Sequence, residues 1–332
     1  MTSRRHDPLA SAAFLGAAAG LSLFTALIAY HGVGEITAAL ARAGAGLALV
    51  ALFHLVPLVT NAIGWRYLLS APCPSLSTLT WARWIAESVN GLLPVAQIGG
   101  NVVRAALIAR RGVSNAQAGA SVVVDITLNV LMQIVFTLIG LCILVLQLGA
   151  REIALPVVLG TTIMGLLLGG FYLAQHGGIF AGAASWLTSV SSRIGSSTLV
   201  GEAQALDLAV TRLYRERRAL VAASLWHLAS WILGAGEVWL ALLFLGHPVT
   251  LTTAVLVESL GQALRTAAFI VPAALGVQEG GYLLIGTFFG IPAEVALACS
   301  LAKRARELLL GLPGLVAWQV ERAATSLRAE AA

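Results

Sequence analysis

Five stretches of about 20 residues in this chain, 11–30, 46–64, 126–149, 153–174 and 219–244, are almost without charge. Each is long enough, wound as a helix rising 1.5 Å per residue, to cross a hydrocarbon core about 30 Å thick. In such a solvent the backbone must satisfy its own hydrogen bonds, which leaves helices or closed barrels. Unbroken apolar runs of this length fit helices, so the chain is expected to be an all-α polytopic membrane protein. Charge falls on only 11% of its 332 residues, against roughly 25% in soluble domains, which excludes an ordinary soluble fold.

The charges that remain orient the spans. Arg4 and Arg5, Arg66 and Arg83, Arg110 and Arg111, and the group Arg212, Arg215, Arg217 and Arg218 flank apolar runs and are expected on the cytoplasmic side. The net charge of +5 is explained by those loops, so nucleic acid is not expected as a partner. The first apolar run has no small-x-small cleavage signal after it and is read as an uncleaved helix. Both termini are expected in the cytoplasm.

Between Arg83 and Arg110 the apolar sequence IAESVNGLLPVAQIGGNVVRAALIA is interrupted by Glu87, Asn90, Pro94, Gln97, Gly99, Gly100, Asn101 and Arg104. With both flanks on one side, it cannot cross once. A re-entrant hairpin over about 84–110, broken near Pro94 to Gly100, is expected, the alternative being a kinked full span. LTTAVLVESLGQALRTAAFIVPAALGVQEGGYLLIGTFFG repeats the grammar over about 251–290. Pro94 and Pro272, Gly112 and Gly290, Ala118 and Ala296, and Ala120 and Ala298 share one register. QIGG and QEGG align only with three extra residues in the second break. Three spans between the copies would invert the second. The expected architecture is about six full transmembrane helices plus two re-entrant or broken hairpins in two inverted repeats, 1–150 and 151–332. A polar cytoplasmic loop over 175–218 would carry an amphipathic helix with Leu206, Val210 and Leu213 on one side, lying on the lipid surface or serving as a plain connection.

Ionisable groups at membrane depth are costly, so each is a site candidate. Glu258, Gln262 and Arg265 share one helix face, as do Asp125 and Asn129, and Asn101 and Arg104. In the shared register Lys303 falls opposite Asp125, and an ion pair between the halves is one expectation. Arg304 and Arg306 exceed what Glu307 neutralises, which suits an anionic headgroup. The expected binding set is Arg104, Arg265, Arg304, Arg306, Gln97, Asn101 and Gln278, and the expected gating or coupling set is Glu87, Asp125, Glu258, Glu279 and Lys303. Glu279 reads equally as an acid capping the short helix that follows it. His54 and His227 read as packing residues, Trp65, Trp81, Trp84 and Trp318 as interfacial belts, and Gly16/Gly20 and Gly165/Gly169 as close-contact pairs. The three cysteines and six histidines form no metal pattern, so no metal, cofactor or catalytic residue is expected. No phosphate-binding G-x-x-x-x-G-K-[ST] motif occurs.

ARWIAESVNGLLPVAQIGGNVVRAALIARRGV, AGASVVVDITLNVLMQ, SLGQALRTAAFIVPAALGVQEGGYLLIGTFFGIP and ALACSLAKRARELLLGLPGLVAWQ resemble the flippase-like family named after the transmembrane region of lysylphosphatidylglycerol synthase. Within it they look most like members associated with hopanoid biosynthesis. The resemblance implies a bacterial inner-membrane protein that moves a lipid between leaflets, with membrane lipids and hopanoid-biosynthetic enzymes as partners. Synthases of the family carry a soluble aminoacyl-transfer domain after the membrane part. This sequence stops at Ala332, so synthase activity is not expected. The alternatives are a membrane-embedded enzyme or a scaffold in hopanoid tailoring.

Overall fold

A computed structural model of the chain describes residues 21–93, 98–148, 151–190, 196–267, 271 and 274–330. Among them there is no strand. Helices α1 (Leu21–His31) and α2 (Val33–Ala43) meet at Gly32 with a bend of 85°. Residues 33–43 are helical with Ile36, Ala39 and Ala43 recurring on one face, which is buried. Helices α3 (Gly46–Phe53) and α4 (Leu55–Arg66) make one span interrupted at His54. Pro57 has no N–H to return to the Phe53 carbonyl, which accounts for the break.

There follow α5 (Leu76–Leu92), α6 (Gly99–Ala109), α7 (Asn115–Leu148), α8 (Arg151–His176), α9 (Ile179–Val190), α10 (Ser196–Leu213), α11 (Arg217–Phe244), α12 (Leu251–Ala267), α13 (Val277–Phe288) and α14 (Ala293–Glu330). Among the described residues three spans, Gly46–Arg66, Asn115–Leu146 and Arg217–Phe244, are long and apolar enough to cross a bilayer, or up to five if the bent pairs α1 with α2 and Thr161–His176 with Ile179–Ser185 each make one span. The chain is a multi-pass membrane protein. Helix α14, though 38 residues long, is not among these spans because it carries Lys303, Arg304, Arg306 and Glu307 within its apolar run. Helices α5, α6, α12 and α13, of 17, 11, 17 and 12 residues, are too short for full perpendicular spans.

The two hairpins correspond helix by helix. Helices α5 and α12 begin at Leu76 and Leu251, 175 positions apart. Helices α6 and α13 begin at Gly99 and Val277, and α7 and α14 at Asn115 and Ala293, each 178 apart. The connection inside the second hairpin is therefore three residues longer. QIGG and QEGG do not occupy equivalent places: Gly99 and Gly100 correspond to Val277 and Gln278. The turn after each hairpin sets this register. Gly112 and Gly290 have φ of 95° and 64°, a left-handed conformation open to glycine. The next N–H, of Val113 or Ile291, then returns to the carbonyl of Ile108 at 3.4 Å or Gly286 at 3.0 Å. Ala118 and Ala296, and Ala120 and Ala298, are all buried. Pro94 and Pro272 lie outside the described residues.

Helix α4 packs on α11, α5 on α14, and α12 on α7. Val210 on α10 is fully buried, with Leu206 and Leu213 beside it in the core. That face is spent on α7 and the core, not on a lipid surface, because α10 packs directly along α7. Trp65 is also fully buried and donates to Ser121 Oγ at 3.1 Å, so it is no part of an interfacial belt. Gly165 and Gly169 meet nothing within 4 Å and make no close contact among the described residues; Gly16 and Gly20 lie outside them.

Candidate functional site

Helix α11 carries two glycines, Gly234 and Gly236, one turn along from Ser230. At Gly236 a Cβ would stand 2.7 Å from the Phe53 ring, so a larger residue there would have to turn that ring aside. Ser230 Oγ donates to the Pro57 carbonyl at 2.9 Å. The broken span and α11 thus meet with His54 facing Glu237. Around them a cavity of about 300 Å³ opens between α4, α5, α7, α11, α12 and α14, near the lower size limit for small-molecule sites.

Its charged lining is balanced. Arg83, Arg265, Lys303 and Arg306 face Glu87, Glu237, Glu258 and Glu307, with His54 the remaining titratable group among the described lining residues. Arg265 bonds Glu307 at 2.7 Å and the Gln278 side-chain oxygen at 3.0 Å. Lys303 bonds Glu258 at 2.5 Å, and Tyr282 donates its hydroxyl to the same carboxylate at 3.1 Å. Arg83 lies 3.6 Å from Glu87. His54 Nδ1 is 2.5 Å from Glu237, and Arg306 reaches the other Glu237 oxygen at 3.4 Å. The expected surplus of arginine is absent here, because each cation faces a carboxylate.

Behind the cavity wall lies a second ionic cluster. Asp125, fully buried, accepts from Arg104 at 2.7 Å and Arg83 at 3.1 Å, and His227 Nε2 lies 3.0 Å from its other oxygen. The expected Asp125–Lys303 pair does not form: Asp125 is held by Arg83, Arg104 and His227, and Lys303 by Glu258. In the helix correspondence Arg83 and Asp125 occupy the places of Glu258 and Lys303. The same ion pair is therefore built twice with its signs exchanged. Arg83, expected in a cytoplasmic loop, is instead an interior residue of α5, because Asp125 and Glu87 both reach it.

The expected site residues divide accordingly. Glu87, Glu258, Arg265, Lys303 and Arg306 line the cavity, and Gln278 bonds Arg265 from behind. Arg104 and Asp125 are locked together outside it, and Asn101 accepts from Arg104 at 3.1 Å. Glu279 is fully buried. It accepts from the Gly276 N–H at 2.8 Å, from Ser300 Oγ at 3.0 Å and from Arg304 at 2.6 Å. That is a helix cap with a counter-ion, away from the cavity lining, and it occupies Arg304 as well. Gln97 lies outside the described residues. Sequence reasoning missed Arg83, Glu237 and Glu307 as lining groups and read His54 as packing. A signal existed for Glu237: it is the one carboxylate in the apolar run 219–244, which marks a polar interior.

No curated protein and no solved structure matches the chain. The model of the family described as lysylphosphatidylglycerol synthase TM region matches residues 13–314. That stretch takes in both hairpins, the broken span and every residue lining the cavity, and the chain therefore belongs to this family of membrane proteins with a lipid-related function.

Proposed function

We propose that the chain is a flippase-like transporter of the bacterial inner membrane that carries a lipid headgroup through the cavity while the acyl or polycyclic body stays in the bilayer. The observation that carries this reading is the charge-lined cavity set between the middles of two apolar spans and walled by one helix of each hairpin. Ionisable groups are kept at that depth where a polar substrate must pass. The lipid is a hopanoid or an anionic or otherwise modified lipid, and hopanoid-biosynthetic enzymes supply it. Arg265, Arg306, Glu87 and Glu258 contact the headgroup; they bind it and do not transform it.

In the same reading residues 1–150 and 151–332 are inverted repeats, with both termini cytoplasmic. What supports inversion is the ion pair of Arg111 with Glu321 at 3.1 Å. It sets the end of the first hairpin beside the C-terminal part of α14, while the second hairpin ends at the start of that helix. The two points are roughly 40 Å apart along a helix rising 1.5 Å per residue, more than a hydrocarbon core.

The test is purified protein in liposomes carrying a fluorescent lipid in one leaflet. Leaflet exchange well above that of protein-free vesicles is expected, falling at least tenfold with Arg265→Gln, the loss of about 1.4 kcal/mol. Exchange no faster than in empty vesicles would sink the reading, and chemical conversion of the lipid without exchange would replace it with a membrane-embedded enzyme.

A further inference from the structure

A second cavity, of about 740 Å³, opens where three apolar spans end. Helix α4 stops at Arg66, α7 starts at Asn115 and α11 starts at Arg217, and the lining residues fall within 67–70, 114–120 and 205–219. An end shared by three spans lies at the boundary between hydrocarbon and water. This groove has no lining residue in common with the headgroup cavity. On each helix a buried layer separates the two: Trp65 on α4, Ser121 and Asp125 on α7, Ala223 and His227 on α11.

Helix α10 forms the outer wall, and it carries two stripes at helical spacing. Leu206 and Val210 turn to the core. Ala205, Leu208, Ala209 and Arg212, spaced i, i+3, i+4 and i+7, line the groove instead. The inner wall is apolar, with Leu68, Leu69 and Ala120 buried in it. Gln117 donates to Ser70 Oγ and so ties the turn after α4 to the start of α7. Leu208 is 59% exposed and Tyr67 49%, so the groove opens outward. Its rim is basic: Arg212 lines it, and Arg66, Arg215, Arg217 and Arg218 each adjoin a lining residue in the chain. All five are exposed, and none makes an ion pair among the described residues. Glu216 is the one carboxylate among the described lining residues. Unlike the balanced headgroup cavity, this groove sets surplus positive charge over an apolar slot.

We infer that the groove between α4, α7 and α10 is a binding site for an anionic phospholipid, with one acyl chain against Ala205, Leu208 and Ala209 and the phosphate on Arg212. The volume lies in the range of roughly 300–1,000 Å³ that holds a small-molecule ligand, and its apolar walls suit a hydrocarbon chain. A guanidinium bonds a phosphate through two parallel N–H groups, and Arg212 is free to do so. The neighbouring arginines add long-range attraction for a headgroup with net negative charge. A zwitterionic headgroup brings its own cation and gains less from them. A soluble phosphate ester lacks the chain that fills the slot. The stripe of α10 that the core does not use is thus covered by a lipid, which is bound there and not altered.

The experiment uses the full chain in phosphatidylcholine nanodiscs doped with a phosphatidylglycerol that carries a diazirine in one acyl chain. After irradiation, the labelled peptides are mapped. Labelling within 114–120 and 205–219 is expected, competed by unlabelled phosphatidylglycerol and not by added phosphatidylcholine or soluble glycerophosphoglycerol. Arg212→Gln removes the phosphate contact, and Ala205→Trp fills the slot without changing charge. Both positions are exposed, so the fold is expected to survive, and each change should lower groove labelling at least fivefold. Absence of labelling there, or labelling that neither substitution changes, would overturn the inference. Equal competition by phosphatidylcholine would remove the charge selectivity and overturn it as well. Equal competition by glycerophosphoglycerol would reduce the site to a phosphate contact and refute the acyl groove. The readout involves no leaflet exchange and no residue of the headgroup cavity, so either result leaves the transporter reading to its own test.

Discussion

Asp125 holds two guanidinium groups and a histidine without touching the cavity, while Glu258, in the mirrored ion pair, borders it. Their substitutions should therefore differ in kind. Asp125→Asn leaves Arg104 buried without its counter-charge and is expected to cost about 3–5 kcal/mol of stability, read as a large fall in melting temperature in detergent. Lys303→Met leaves Glu258 unpaired beside the cavity. Combining it with Glu258→Gln should cost less than the two single changes summed, by at least about 1 kcal/mol, because the double variant strands no charge. Strict additivity in the melting data would show that the 2.5 Å contact carries no coupling. That Asp125 and Lys303 are interior was legible from the sequence, since charge in an apolar run has nowhere else to go. Which opposite charge each would meet was not, because the partners lie 21 to 45 positions away along the chain.

At the scale of the helix, the legible part was the pairing of short, broken hairpins with a long helix after each. Proline and glycine punctuation marks such breaks directly. The illegible part was contact. The sequence offers Gly165 and Gly169 as a small-residue pair, yet both meet open space, whereas Gly140, in no such pair, sits where a Cβ would stand 2.8 Å from Ser259 Cβ. Gly140→Val should push α7 from α12 and cost about 1–3 kcal/mol, while Gly165→Ala should leave stability unchanged or raise it slightly through helix propensity. Parallel thermal melts of the two variants decide this. A harmless Gly140→Val would mean that α12 tolerates displacement from α7. A motif states that close approach is sterically allowed; only the facing helix decides whether it happens.

For the whole molecule, the consequence to test is orientation. In a background without Cys73, Cys142 and Cys299, Arg111→Cys and Pro292→Cys, both at exposed positions, should react with a membrane-impermeant thiol reagent from opposite sides of sealed vesicles. Labelling of both from one side would end the inverted arrangement. The outcome also bears on how lipid passes, since two hairpins entering from opposite faces would place a wall of the cavity on each side of the bilayer.

The sequence by itself determined that this chain lives in a membrane, is helical, and breaks two helical segments in corresponding ways. Each of these follows from local composition: apolar length against bilayer thickness, and proline and glycine against backbone geometry. Tertiary structure alone decided which charges face the cavity, that its lining is balanced and not basic, and that Glu279 caps a helix while His54 faces two carboxylates and an arginine. Charge pairing depends on where distant helices cross, and a chain of 332 residues does not state those crossings in any local window.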